Sequence, residues 1–144
     1  MSKILITGGT GLVGSKLCEV LINNNHEVIV LSRNPKKENE YKWDVSRNYI
    51  DLKALENTEY IIHLAGAGIA DKNWSSKRKE IIINSRVKTA NLLFEKVKQN
   101  NIRLKGFISA SGVGYYGTIT SDKVFNEEDL VGSDFLAEVC LKWE

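Results

Sequence analysis

The sequence predicts an α/β fold, a doubly wound parallel sheet with helices on both faces. Short apolar runs rich in Ile, Val and Leu alternate with segments of helical periodicity along the 144 residues. A glycine-rich turn joins the first apolar run to the first helical segment. The second run is continuously apolar rather than alternating, which is typical of parallel strands that are covered on both faces.

The composition fits one globular domain and excludes several classes of protein. Hydrophobic residues make up 42% of the chain, charged residues 26%, and the net charge is only +2, so we expect no dedicated nucleic-acid surface. No apolar run has transmembrane length, and the first residues lead straight into a strand. Cys18 and Cys140 lie in apolar helical patterns, and His26 and His63 lack ligand spacing, so we expect no metal site. These features predict a cytoplasmic protein without a membrane partner.

The stretch 4–14 carries the strongest functional signal. Its glycines follow the dinucleotide-binding spacing Gly9-x-Gly11-x-x-Gly14. We expect Gly8 and Gly9 to adopt positive φ, Gly11 to let a pyrophosphate approach, and Gly14 to let the helix pack closely. Free N–H groups at the helix start then meet the phosphates. An ordinary glycine turn is the alternative interpretation. The predicted cofactor-binding residues of this stretch are Thr7, Gly8, Gly9, Thr10, Gly11, Leu12, Val13 and Gly14.

The residues after the second strand bear on the choice of cofactor. We expect the first helix over 12–22 and the second strand over 27–31. An acidic residue after this strand would bind the ribose hydroxyls of NAD, but the sequence has Arg33 there. Arginine can pair with a 2′-phosphate, which favours NADP over NAD. Arg33 could instead be a solvated loop residue, and Lys36 or Lys37 could serve equally well as a phosphate partner.

The middle of the chain adds two further candidate regions. Residues 41–45 are expected to form a short third strand, 51–56 a short helix and 60–66 a fourth strand. Asp44 could accept a hydrogen bond from the adenine amino group or merely cap a turn. His63 fits a packed strand residue better than a catalyst. At the carboxyl end of the fourth strand, where ligands bind in open sheets, the candidate cofactor contacts are Leu64, Ala65 and Gly66.

The last third of the chain predicts a long helix, a strand and a final helix. The long helix begins at a Ser75 or Ser76 cap and runs to about residue 99, and the fifth strand covers 106–111. Residues 118–130 are polar and acidic, so we expect an exposed loop or a short hairpin. Ser133 or Asp134 then caps the last helix.

Several motifs together resemble a known family. The Thr7–Gly14 turn, the His63–Gly66 run and the Ser111–Gly117 stretch look like those of extended short-chain dehydrogenase/reductases, the NAD(P)-dependent epimerase/dehydratase group. The Asn84–Val87 run and the Asp134–Cys140 run resemble its sugar-nucleotide epimerase-like branch. The resemblance implies a Rossmann-type fold, an NAD(P) cofactor and a small-molecule substrate such as a sugar nucleotide. Family members are about twice as long, so residues 1–144 would be the amino-terminal cofactor domain, without the substrate region.

The resemblance also implies a catalytic pattern that this sequence does not complete. The family uses a Tyr-x-x-x-Lys pair and a serine, and the register of the last helix puts Leu136 and Cys140 at the pair. Ser111 matches the serine. Tyr116, or its neighbour Tyr115, could supply a substitute acid, although an aromatic residue that packs the loop is the alternative.

Two functions follow from this pattern. The first is hydride transfer by an oxidoreductase or epimerase that prefers NADP. The second is a catalytically weak dinucleotide-binding protein that senses cofactor or binds a partner.

Overall fold

The computed structural model describes residues 1–144 and consists of one sheet with three α-helices. The strands and helices are, in chain order, β1 (Lys3–Thr7), α1 (Leu12–Asn23), β2 (Glu27–Ser32), β3 (Glu40–Asp44), β4 (Tyr49–Ile50), β5 (Tyr60–His63), α2 (Ser76–Gln99), β6 (Gly106–Ser109) and α3 (Phe135–Trp143). Three short 3-10 turns lie at Val45–Arg47, Leu52–Ala54 and Val113–Tyr116. No helix combines the length and apolar character that crossing a membrane requires.

The sheet has the order β4-β3-β2-β1-β5-β6, which confirms the predicted α/β class. β1 pairs in parallel with β2 on one side and with β5 on the other. The chain order therefore reverses beside β1, and the carboxyl ends of β1, β2, β5 and β6 meet at one edge of the sheet. Ligands of open α/β sheets bind at such a reversal point.

Helices cover both faces of the sheet, as predicted. On one face, buried side chains of β1 and β2 pack against Leu17, Cys18 and Leu21 of α1. On the other face, Leu92 and Leu93 of α2 belong to the larger core. This two-sided burial explains why the strands are apolar at successive positions rather than at alternate ones.

The sheet is mixed rather than purely parallel because it contains β4, an antiparallel strand that the sequence did not predict. β4 pairs antiparallel with β3, and this pairing sets Trp43 opposite Ile50. Both side chains are buried at this edge. Asn48, with a left-handed φ of 52°, reverses the chain between the two strands. The predicted helix over 51–56 is only the 3-10 turn Leu52–Ala54.

Two strands end earlier than the sequence predicts. β5 stops at His63 and β6 at Ser109, so Leu64–Gly66 and Ala110–Ser111 lie beyond the strands. The N–H of Leu64 is shared between the carbonyl of Thr7 at 3.1 Å and the hydroxyl of Thr7 at 3.2 Å, whereas the N–H of Ala65 binds only the hydroxyl, at 3.1 Å, so the ladder ends there. These residues therefore form a loop over the end of β1.

The helix caps resolve the alternatives that the sequence left open. The Ser75 hydroxyl accepts a hydrogen bond from the N–H of Arg78 at 3.2 Å, so Ser75 caps α2. Asp134 caps α3 through the N–H of Ala137 at 3.0 Å. This bond and those from Thr118 lower the pKa of Asp134 to about 2. Residues 118–131 contain no strand, which excludes the hairpin.

Candidate dinucleotide-binding site

The glycine turn between β1 and α1 is too tight for side chains at two positions. Gly8 has φ of +72°, and a Cβ atom there would lie 2.9 Å from the carbonyl of Leu64. A Cβ atom at Gly14 would lie 2.2 Å from the carbonyl oxygen of Gly8. Gly14 was expected to let the helix pack closely on the strand, but the atoms that its missing side chain leaves room for are those of the turn. The expectation of positive φ at Gly9 is wrong, since among the glycines only Gly8 and Gly117 have it.

At Gly9, a different contact leaves no room for a side chain. A Cβ atom there would lie 2.9 Å from both methyl groups of Val30 on β2. The turn therefore presses directly on the neighbouring strand.

The start of α1 offers unpaired donors at the carboxyl edge of the sheet. Gly11 is the N-cap residue and has no side chain to cap the helix. The N–H groups of Leu12, Val13 and Gly14 make no hydrogen bond in the chain, and the first bonded amide is that of Ser15. Leu12 and Val13, two of the predicted cofactor-binding residues, are 90% and 68% exposed. Free N–H groups at a helix start, beside a turn that lacks side chains, fit a phosphate group.

Thr7 supports this turn from inside the fold rather than facing a ligand. Its side chain is fully buried, and its hydroxyl accepts the N–H groups of Leu64 and Ala65. The same hydroxyl lies 2.7 Å from Nδ1 of His63, and because its oxygen already accepts two N–H groups, its own proton is the one available for that bond. One hydroxyl therefore joins β1 to the loop after β5.

His63 is fully buried, as expected for a packed strand residue. Because Nδ1 accepts from Thr7, the ring proton is on Nε2. Nε2 lies 3.3 Å from the carbonyl of Arg86 and 3.2 Å from the hydroxyl of Thr89 on α2. Burial lowers the pKa of His63, and the nearby Arg86 charge lowers it further. The imidazole thus stays neutral and links three elements of the fold.

The neutral His63 predicts a loss of stability in acid. Below the ordinary histidine pKa of about 6.5, the unfolded chain binds a proton that the folded chain excludes. The contribution is fully present above that pH and is lost as the pH falls toward the lower pKa of the folded state. The free energy of unfolding should therefore drop by up to about 1.4 kcal/mol per pH unit in that window. Urea unfolding of wild type and His63→Asn between pH 7 and 5 measures this, and equal slopes for the two proteins would contradict it.

Beyond β5, the loop residues predicted to contact the cofactor line the same edge. Leu64 and Ala65 are half-buried, and Gly66 is exposed. The N–H of Ala67 donates to the hydroxyl of Ser85 at 2.8 Å, and the Ala67 carbonyl accepts from Nη1 of Arg86 at 3.2 Å. The long helix α2 thereby holds this loop beside the glycine turn.

Arg33 and Asp44, the two residues predicted near the adenosine of the cofactor, have different surroundings in the structure. Arg33 is exposed just past β2, and its guanidinium takes part in none of the ion pairs of the chain. Asp44 caps the Val45–Arg47 turn by accepting from the N–H and the hydroxyl of Ser46 at 3.0 and 2.6 Å. These bonds lower the pKa of Asp44, the hydroxyl bond most. The capping alternative is thus observed for Asp44, and contact with adenine stays a prediction.

The two predicted catalytic residues occupy separate surroundings. Ser111 lies past β6, and its hydroxyl donates to the carboxylate of Glu144. The hydroxyl of Tyr116 donates to the carbonyl of Asn126 at 2.9 Å, and its ring stacks on Phe125 with centroids 4.8 Å apart. Partial burial and the neighbouring acidic residues raise the pKa of Tyr116. These contacts favour the loop-packing alternative for Tyr116.

The positions registered to the catalytic pair make packing contacts. The thiol of Cys140 points at the carbonyl of Gly112 at 3.6 Å. Leu136 packs so closely on Gly114 that an added Cβ atom would lie 3.2 Å from it. α3 therefore seats against the Val113–Tyr116 turn through these two side chains.

Sequence reasoning missed Arg86 as a residue of this region. Its side chain is 6% exposed, and burial lowers its pKa. The available signal was its position, because Arg86 follows Ile82 by four residues and so lies on the apolar face of α2.

Comparison with known proteins agrees with this arrangement. The model of the NAD dependent epimerase/dehydratase family matches residues 4–137. An epimerase family protein of Mycobacterium leprae is 33% identical over 142 residues, which are 98% of this chain and 45% of that relative. The chain thus spans about half the length of the curated relatives it matches.

Two solved structures show the same fold. A nucleoside-diphosphate sugar epimerase from Corynebacterium glutamicum superposes with a TM-score of 0.81 and 37% identity, covering 99% of this chain and 29% of that one. The human epimerase family protein SDR39U1, solved with NADPH, has a TM-score of 0.82 and 25% identity over 98% of this chain and 47% of its own. The family model, which matches nearly the whole chain, shows that this protein belongs to the NAD dependent epimerase/dehydratase family.

Proposed function

We propose that residues 1–144 form a dinucleotide-binding unit that prefers NADP and serves hydride transfer on a sugar-nucleotide-like substrate. The observation that carries the proposal is the glycine turn, whose free N–H groups at Leu12, Val13 and Gly14 suit a pyrophosphate. The NADPH in the human relative and the sugar-epimerase name of the bacterial one support the cofactor and the substrate class.

In this proposal the chain supplies binding and orientation. The start of α1 would hold the pyrophosphate, and Arg33 the 2′-phosphate. The loop Leu64–Gly66 would lie along the cofactor, and Ser111 would hold the reacting oxygen of the substrate. A bound nicotinamide supplies the hydride acceptor or donor.

The choice between NADP and NAD predicts a selective effect of Arg33. Replacing Arg33 with alanine should weaken NADPH binding by roughly tenfold to a hundredfold, because a charge-assisted bond to the 2′-phosphate is lost. NADH has no such phosphate, so its affinity should hardly change. Fluorescence titration of the purified chain with both cofactors measures this.

Arg103→Ala is the matched control for that titration. Arg103 is an exposed arginine just before β6, at the opposite edge of the sheet. Its replacement removes the same charge and should leave both affinities unchanged. Equal losses for NADPH and NADH in Arg33→Ala would count against the 2′-phosphate contact, and failure of both cofactors to bind wild type would overturn the proposed function.

A second candidate function is cofactor sensing without turnover. It is favoured by the packing roles of Leu136 and Cys140 and by the engaged hydroxyl of Tyr116. Adding UDP-glucose to the NADP-loaded chain and following nicotinamide fluorescence separates the two functions. Formation of NADPH supports hydride transfer, whereas cofactor binding without turnover supports the sensor.

A further inference from the structure

Arg86 is a buried cation that is held by backbone carbonyls rather than by a carboxylate. It is 6% exposed and takes part in none of the ion pairs of the chain. Its Nη1 donates to the carbonyl of Ile82 at 3.0 Å and to that of Ala67 at 3.2 Å. Ile82 lies one turn earlier on α2, whereas Ala67 belongs to the loop that follows β5. Because burying a charge is costly, the bond to the loop is what an apolar side chain in this position would lack.

A second side chain of α2 binds the same loop residue. The Ser85 hydroxyl accepts the N–H of Ala67 at 2.8 Å and donates to the carbonyl of Ile82 at 2.8 Å. Its oxygen also lies 3.5 Å from Nη1 of Arg86. Ser85 and Arg86 therefore hold both backbone polar groups of Ala67, its N–H and its carbonyl. We term this pair of residues the Ala67 clamp.

The guanidinium of the clamp also packs on the residue before Ala67. A Cβ atom on Gly66 would lie 2.8 Å from Cζ of Arg86 and 3.0 Å from its Nη1, so the guanidinium lies directly on the backbone of Gly66. The ring of Trp143 on α3 packs on the same guanidinium, with Cζ 4.7 Å from the ring centroid. These contacts leave the guanidinium little freedom to turn away from the loop.

The clamp complements the contacts that Thr7 makes with the beginning of the loop. The Thr7 hydroxyl accepts the N–H groups of Leu64 and Ala65, whereas the clamp holds Gly66 and Ala67. The loop is thus fixed from inside the fold at four successive residues. A segment that is ordered before a ligand arrives loses little conformational entropy when the ligand binds.

We infer that Ser85 and Arg86 are positioning residues, which act on dinucleotide binding through the backbone of Ala67. The inference rests on the proposed function, in which the Leu64–Gly66 loop lies along the cofactor, and deepens it by adding two residues outside that loop. In the proposed site, the 2′-phosphate that distinguishes NADP from NAD lies at Arg33, away from the loop. The clamp should therefore affect both cofactors equally.

Titration with NADPH and with NADH tests the clamp. Arg86→Met keeps a long side chain but removes the bond to Ala67. It should weaken the binding of both cofactors by about threefold to thirtyfold, the range for residues that act without touching the ligand. Arg86→Lys, which can still donate to the Ala67 carbonyl, should recover part of the affinity. Lys88→Met removes one charge from an exposed position on the same helix and should change neither affinity.

Two further variants separate positioning from a general loss of stability. Thr58 is buried at the amino end of β5, and Thr58→Val removes its one hydrogen bond. This variant should be less stable and should still bind both cofactors with wild-type affinity. Ser85→Ala, alone and combined with Arg86→Met, completes a double-mutant cycle. Since both residues act through Ala67, their losses of affinity should not add.

Three results of these titrations would overturn the inference. They are unchanged affinity for both cofactors in a folded Arg86→Met chain, a loss confined to NADPH, and additive losses in the cycle. If Arg86→Met does not fold, Ser85→Ala decides alone, and wild-type affinities in that variant would overturn the inference.

Hydrogen exchange of the cofactor-free chain separates this outcome from that of the proposed function. In Arg86→Met, the amides of Ala65 and Ala67 should exchange roughly tenfold faster, while those of β1 and β5 keep their protection. Uniformly faster exchange along the chain would indicate a general structural role and overturn the inference. If wild type binds neither cofactor, the proposed function is refuted, and the exchange pattern still decides whether the clamp fixes the loop. NADPH binding together with an unchanged exchange pattern would refute only the clamp.

Discussion

Replacing Gly14 with alanine is expected to abolish dinucleotide binding and to destabilise the fold. The added Cβ atom would lie 2.2 Å from the carbonyl oxygen of Gly8 and 2.8 Å from Cα of Gly9. Both are backbone atoms, and Gly8 itself is wedged against Leu64, so no flexible side chain can give way. Overpacking costs about 1–3 kcal/mol and occasionally more, and a backbone clash belongs at the upper end. Urea unfolding and NADPH titration measure the two effects.

Gly112→Ala is the control for stability. At Gly112 the nearest atom to an added Cβ is Sγ of Cys140 at 3.8 Å, an ordinary contact. Its φ of −161° is extended backbone that any residue adopts. This substitution should change the free energy of unfolding by no more than about 0.5 kcal/mol. If Gly14→Ala were equally mild and still bound NADPH, the helix would not need its close approach to the turn.

The parts of the fold that the sequence predicted are those with a local or periodic signal. The continuous run Val28–Leu31 predicted a strand buried on both faces, and Ser75 and Asp134 were among the residues expected to cap helices. β4 escaped prediction because two residues carry no periodicity, and its pairing of Ile50 with Trp43 is a tertiary contact.

The ends of the strands were mispredicted because side chains distant in sequence decide them. The sequence predicted Leu64 and Ala65 as a continuation of β5, but the N–H of Ala65 binds the hydroxyl of Thr7, which is 58 residues away in the chain. Leu12 and Val13 are exposed although they are apolar, because they lie in the first turn of α1 at the open edge of the sheet. The spacing of apolar residues does not show which of them will lie at an open edge of the sheet.

The candidate site also has a part that the sequence predicted and parts that it did not. The glycine spacing predicted the turn, since the spacing itself encodes the geometry. The network of Thr7 with His63 and the burial of Arg86 against Trp143 depend on contacts between elements, so they cannot be predicted from residue type or spacing. The role of Asp44 was left open between adenine and a cap, and only the neighbouring Ser46 shows the cap.

Replacing Thr7 with valine should destabilise the chain by about 3 kcal/mol while keeping its volume. The substitution removes the only acceptor of the N–H of half-buried Ala65 and the only donor to Nδ1 of fully buried His63. Each buried polar group left unsatisfied costs roughly 1–3 kcal/mol. The Leu64 N–H keeps the backbone carbonyl of Thr7 at 3.1 Å, so the strand pairing survives. Urea unfolding at pH 7 measures the loss, and Thr7→Ser should recover most of it.

Thr58→Val separates this network from the general cost of burying valine in place of threonine. Thr58 is 3% exposed, and its hydroxyl makes one hydrogen bond, to the carbonyl of Ala54 at 2.9 Å. Losing that single bond should cost about 1 kcal/mol. If Thr7→Val cost no more than Thr58→Val, the hydroxyl would not be what holds the Leu64–Gly66 loop. A larger loss, accompanied by weaker NADPH binding in Thr7→Val alone, would tie the buried network to the shape of the cofactor edge.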